Sequence, residues 1–143
     1  MFCLAGCSGG AADSGDVSES SEPEPEPVYV TNPLTDYDTA DPHILRWEDS
    51  LYIYSTGGKI SRSDDGITWK EVGNVGISPS WGTPGAGFWA PDIVRIGDKL
   101  LLYYSLSTWG DSNPGIGVAS AEHPEGPWTD HGKLFTSQEI GVN

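Results

Sequence analysis

Two aspartates, Asp41 and Asp92, stand on opposite sides of the corresponding prolines of a repeated segment. Asp41 precedes Pro42, whereas Asp92 follows Pro91. Carboxylates converging from neighbouring elements suit acid–base work on a sugar or the binding of a cation. The plainer alternative is turn chemistry, since Asp before Pro commonly opens a strand. Aromatic residues gather near them, with Trp81, Phe88, Trp89 and Trp109 falling in loops or at strand starts rather than in inward alternation. Sugars present C–H faces that stack on aromatic rings, so aromatics around carboxylates point to a glycan. His43 follows the Asp-Pro pair and is expected to face away from Asp41 by strand alternation, in a supporting role.

An internal repeat of about fifty residues must position these groups. Pro42-His43-Ile44 through Tyr54 aligns with Pro91-Asp92-Ile93 through Tyr103, and after an insertion Ser63 aligns with Ser120, Trp69 with Trp128 and Gly73 with Gly132. A Tyr-, Trp- and Gly-rich repeat of this length, built of strand-sized apolar runs, is the signature of propeller blades. Strands are expected near 42–47, 50–56, 58–63 and 68–72 in the first copy, and near 91–96, 99–106, 115–120 and 127–130 in the second. Glu48-Asp49, Gly57-Gly58 and Asp64-Asp65-Gly66 supply the turns. No window sustains a helical period, so the chain reads as all-β. Each innermost strand then carries its leading Asp to a shared funnel. Trp69 and Trp128 read as repeated structural plugs, and Tyr52, Tyr54, Tyr103 and Tyr104 as core. A propeller needs at least four blades. The chain is therefore expected to be the N-terminal piece of a longer protein.

Charge narrows the partners. The 143 residues carry a net charge of −14, and six of the 21 acids lie in residues 1–27, which contain no Lys or Arg. So acidic a surface repels phosphate backbones, which argues against nucleic acid. No apolar run approaches the ~20 residues that span a bilayer. Both cysteines, Cys3 and Cys7, lie at the extreme N-terminus, leaving the body without disulfides or thiolate metal sites. Leu4-Ala5-Gly6-Cys7 resembles a bacterial lipobox, in which the Cys7 sulfur would take a diacylglyceryl group and anchor the protein to a membrane. The few residues before Cys7 suggest a clipped signal peptide. Residues 8–27, rich in Ser, Glu and Pro, read as a disordered, stiffened tether between that anchor (1–7) and the folded part (28–143). The expected location is the bacterial cell envelope, lipid-anchored or secreted.

Ala40-Asp41-Pro42-His43-Ile44, Phe88-Trp89-Ala90-Pro91-Asp92-Ile93, Tyr103-Tyr104-Ser105 and Gly126-Pro127-Trp128 together resemble glycoside hydrolase family 43 over about residues 36–143. The stretch from Trp89 to Asp92, with Tyr103–Thr108 and Gly115–Ala119, is most similar to the endo-1,5-α-L-arabinanases. The resemblance implies a five-bladed β-propeller, of which about the first two blades are present here. It also implies inverting hydrolysis of arabinan or a related pentose polysaccharide by three carboxylates. Asp41 corresponds to the general base, and Asp92, Trp89, Phe88 and Trp109 to funnel-wall contacts with the sugar. The second Asp and the proton-donating Glu belong to later blades, and Glu139, on a connecting loop, is not the acid. This segment by itself is therefore expected not to hydrolyse its substrate. Arabinanases usually place His before the base. Here Ala40 stands there, which leaves arabinan and xylan both open. Related arabinanases often hold a cation such as calcium on the ring axis, mostly through later blades. No residue here is assigned to a metal.

Three other readings fit the residues in part, and one of them, a purely structural propeller fragment, leaves the aromatic funnel unexplained. Asp64-x-Gly66-x-Thr68-Trp69 approaches the Asp-box of sialidases, but Arg62 replaces its Ser and no arginine triad is evident. A hairpin stabilised by its own side chains explains it better. A non-catalytic glycan-binding lipoprotein would account equally for the anchor and the aromatic loops.

Overall fold

Residues 26–29 and 35–142 are described by a computed structural model. Its strands follow the repeat. β1 (His43–Trp47), β2 (Ser50–Tyr54), β3 (Lys59–Ser63) and β4 (Lys70–Asn74) form one four-stranded antiparallel sheet in chain order. β5 (Gly87–Ile96), β6 (Lys99–Ser107), β7 (Gly115–Ala121) and β8 (Thr129–Thr136) form the second. The registers correspond: His43 faces Tyr54 across the first hairpin as Asp92 faces Tyr103 across its counterpart. These are two blades of a propeller. Cys7 and the tether up to residue 25 lie outside the described residues.

The turns form where the sequence allows left-handed backbone. Glu48 (φ 53°) closes the first inner hairpin, and Gly97 (φ 63°) takes the matching place in the second. Gly57 and Gly58, with φ of 83° and 76°, carry the chain from β2 to β3. At the outer hairpin the Asp65 carboxylate accepts the backbone N–H groups of Thr68 (2.7 Å) and Ile67 (2.8 Å) and the Ser63 hydroxyl (2.9 Å). Asp64 accepts from Ser50 and Arg62. The Asp-box-like motif is thus a self-stabilised turn.

Apolar side chains of the two sheets interlock. Tyr52, Tyr54 and Ile60 from the first pack with Ile93, Leu100, Leu102, Tyr104 and Leu106 from the second. Most are nearly solvent-free, and each such burial contributes about 1.5–3 kcal/mol. Polar cross-links fix the docking. The Tyr54 hydroxyl donates to the Pro124 carbonyl (2.8 Å), and the Arg95 guanidinium lies 4.6 Å from the centre of the Trp47 ring. The Trp128 indole meets Tyr54 edge-on, as a plug would, while Trp69 and Trp128 both bury an indole N–H that has no partner among the described residues. Tyr103 differs from the other three tyrosines in being only half-buried.

Several strand boundaries differ from the sequence expectation, three of them for a visible reason. β5 begins at Gly87 rather than near 91, because a bulge between Trp89 and Asp92 lets the strand pass Pro91, a residue that normally ends a ladder. β8 runs on to Thr136 through two register shifts, with Gly132 at φ 87° absorbing the distortion. β4 starts at Lys70, because Ile67 and Thr68 are held in the Asp65 turn.

Candidate active site

Asp41 lies just before β1 with φ 49°, and Ala90, its repeat equivalent, has φ 44°. Proline normally pushes the preceding residue into extended backbone, so a left-handed residue there is doubly disfavoured. Such a conformation costs of order 1–3 kcal/mol and persists only where the surroundings over-determine it. Here they do. Thr56, in the turn after β2, donates its backbone N–H to the Ala40 carbonyl (3.0 Å) and its hydroxyl to Asp41 Oδ2 (2.8 Å). The Ala90 N–H in turn donates to the Thr56 oxygen (3.1 Å). The Asp41 carboxylate is solvent-exposed but tied to both blades.

Asp92 is held differently. His43 and Asp92 occupy equivalent repeat positions on adjacent inner strands, and His43 Nδ1 lies 2.7 Å from Asp92 Oδ1. The histidine is half-buried, whereas the Asp92 side chain is 70% exposed, leaving it open to a ligand. His43 therefore supports Asp92 and not Asp41. Among the described residues no group of three or more His, Cys, Asp or Glu is arranged to hold a metal ion.

The aromatics divide by strand alternation. Trp89 pairs with Ser105 on one face of the β5–β6 ladder, and its indole N–H donates to the Ser107 carbonyl (2.9 Å). Trp109 meets it edge-on at 5.6 Å and is 90% exposed. Phe88 lies on the other face. Grouped from sequence with the sugar contacts, it pairs with Leu106 on the opposite face and stacks on buried Tyr104 at 5.0 Å. Adjacent strand residues point to opposite sides, so Phe88 serves the core between the blades. Trp81 is drawn in likewise, donating its indole N–H to the Tyr104 hydroxyl (3.3 Å).

Two supporting residues escaped the sequence reading. Asp111 accepts from the Asn113 N–H (2.9 Å) and the Thr108 N–H (3.4 Å), shaping the loop that presents Trp109. The Asn113 amide, chiefly, holds its carboxyl below the usual range. Asp at the head of a Gly/Ser/Asn/Pro loop was the available signal. Thr56 is the other. Its only signal was position, a hydroxyl residue ahead of a double glycine.

Glu139 is tied into its own loop. Its carboxylate pairs with Lys133 and accepts the Thr136 N–H. Lys133 first, then that amide, hold its pKa below the ordinary value, whereas a general acid needs it raised. Arg62 is committed to Asp64 at the outer hairpin and Arg95 to Trp47 and the Gly97 carbonyl. They do not form a carboxylate-binding cluster.

Residues 30–142 match glycosyl hydrolases family 43. A probable arabinan endo-1,5-α-L-arabinosidase A of Aspergillus flavus is 38% identical over 104 residues, covering 68% of this chain and 33% of the relative. The family 43 endo-arabinanase from Bacillus licheniformis superposes with a TM-score of 0.64 at 30% identity, over 71% of this chain and 39% of that one. The Cellvibrio cellulosa α-L-arabinanase complexed with arabinohexaose gives 0.62 at 29% identity, over 69% and 36%. The chain thus spans about a third of the length of the curated relatives it matches.

Proposed function

The chain belongs to glycosyl hydrolases family 43, and from that premise we propose that it forms the first two blades of an arabinan-hydrolysing propeller with Asp41 as general base. The observation that carries this is the exposed Asp41 carboxylate, fixed before the first inner strand by the Thr56 hydroxyl. In this reading Asp41 takes a proton from a water as that water attacks the anomeric carbon. A glutamic acid from a later blade protonates the departing oxygen, and a further Asp tunes that acid. Base and acid would stand roughly 6.5–9.5 Å apart, leaving room for the water and inverting the anomeric centre. Asp92, Trp89 and Trp109 form the sugar-facing wall, with Phe88 packed behind them. Arabinan is favoured as substrate by the names of the relatives.

The two blades by themselves supply one of the three carboxylates, so they do not hydrolyse the polymer alone. Acylation at Cys7, with residues 8–27 as spacer, would hold the enzyme at a bacterial envelope beside its polymeric substrate. The test is to incubate the full-length polypeptide carrying this chain with linear arabinan and with xylan, following the product anomer by NMR. Oligosaccharides released from arabinan with inverted configuration are expected. Cleavage of xylan alone, or retained configuration, would overturn the reading.

A further inference from the structure

We propose that Thr56 is the positioning residue for the base, coupling the orientation of the Asp41 carboxylate to the docking of the second blade; this rests on the role proposed for Asp41. Its hydroxyl oxygen receives the Ala90 N–H at 3.1 Å, and its single proton is directed to Asp41 Oδ2 at 2.8 Å. A hydroxyl has one proton and two lone pairs, so an amide donated into the oxygen leaves the proton free for the carboxylate. Its direction is then fixed from both sides. A bond to an ionised acceptor is also stronger than a neutral one.

The geometry has a consequence for the reaction. Oδ2 is occupied by Thr56, whereas Oδ1 has no partner among the described residues and Asp41 faces solvent. Oδ1 is therefore the oxygen that takes the proton, and Thr56 sets where it lies. Asp41 and Ala90 both hold left-handed backbone before a proline, and among the described residues Thr56 is the one side chain that bonds to both. The Thr56 backbone N–H, bonded to the Ala40 carbonyl, anchors the turn to the segment it orients. Asp41 is 15 residues from Thr56 in sequence and Ala90 is 34, so the two contacts join the first blade's leading turn to the bulge of β5.

Four variants of the full-length polypeptide, assayed on linear arabinan, test this: Thr56→Val, Thr56→Ser, Asp41→Asn and the double variant Thr56→Val/Asp41→Asn. Displacement of a reacting group by about 1 Å can cost on the order of 100-fold, so Thr56→Val is expected to lower kcat about 10- to 100-fold with KM changed less than about 3-fold. Thr56→Ser, which keeps the hydroxyl, should stay within about 3-fold of the parent. In the Asp41→Asn background Thr56→Val should cost nothing further, because residues acting as a unit are non-additive. Thermal unfolding identifies any variant that fails to fold, and the serine variant then carries the comparison. Full activity in Thr56→Val, or an equal loss in both backgrounds, would overturn the positioning role. Full activity in Asp41→Asn would instead overturn the base assignment itself.

Discussion

A carboxylate that takes a proton from water needs access to solvent and a fixed direction, and these pull against each other. Exposure usually brings rotational freedom. Asp41 meets both needs because its backbone is held left-handed and one of its oxygens is bonded to Thr56. Trp109 shows the complementary case, an almost fully exposed indole braced by the edge of Trp89. Such a ring contributes binding surface and little stability. Trp109→Ala in the full-length polypeptide should raise KM for arabinan about 10-fold, equivalent to ~1.4 kcal/mol, with kcat and melting temperature nearly unchanged. At this scale the sequence showed the residues but not their partners. An Asp-Pro pair is visible in a string of letters, whereas the Thr56 contact spans 15 residues and the His43–Asp92 contact joins separate strands. The face that Phe88 takes was hidden for a related reason. Its side of the strand depends on a bulge at Ala90-Pro91 that the sequence presents only as a strand boundary.

Elements here are held by turns more than by strand length, and the outer hairpin of the first blade carries a measurable signature. The backbone N–H of Thr68, then that of Ile67 and the Ser63 hydroxyl, hold the Asp65 carboxyl well below the ordinary range. The folded chain thus binds this proton less readily than the unfolded chain does. The resulting stabilisation is complete above the unfolded value of about 3.9 and is lost as pH falls from there towards the folded value. Asp65 is exposed, so solvent screening keeps the effect modest. The urea midpoint should therefore fall between about pH 5 and pH 2.5, and Asp65→Asn should flatten part of that fall. Asp64, Asp111 and Glu139 shift in the same direction and add to the fall. A dependence unchanged in the variant would remove the turn from the account. Close packing is equally local. A side chain at Gly117 would meet the Tyr104 ring at 2.4 Å, so the glycine admits the aromatic cluster of Trp81, Phe88 and Tyr104. Repeat alignment found the strands and most turns; these contacts across the sheets lay beyond it.

Across the molecule, the two sheets bury facing sides against each other. Part of the first sheet's outer side is covered, with Ile53 and Ser61 buried and Tyr37 donating to Ser61, and the rest of the outer sides stands open. Ile44 is 57% exposed on the first sheet, and Ile96, Val94 and Phe135 are exposed on the second. Tyr52 and Tyr54, buried between the sheets, correspond in the repeat to Leu101 and Tyr103, which are half-exposed on the open face of the second sheet. That substitution of solvent for a neighbouring blade is what stacking repeats leave at an uncapped end. Residues 28–143 prepared alone should bind a hydrophobic dye and self-associate, and should release no reducing ends from arabinan. A monomer that binds no dye would contradict this account of the exposed faces. The blade architecture was legible because two copies of one pattern lie in a single chain. The way their inner strands share one hydrogen-bonded network was not, since it depends on which faces meet.

The most direct measurement is the turnover of linear arabinan by the full-length polypeptide with Asp41→Asn, the melting temperature being recorded alongside. Asparagine keeps the shape and can still accept from Thr56, but it cannot hold a proton taken from water. A fall in kcat of about 100- to 10,000-fold, with folding intact, is the predicted result. Undiminished turnover would contradict the assignment of the base.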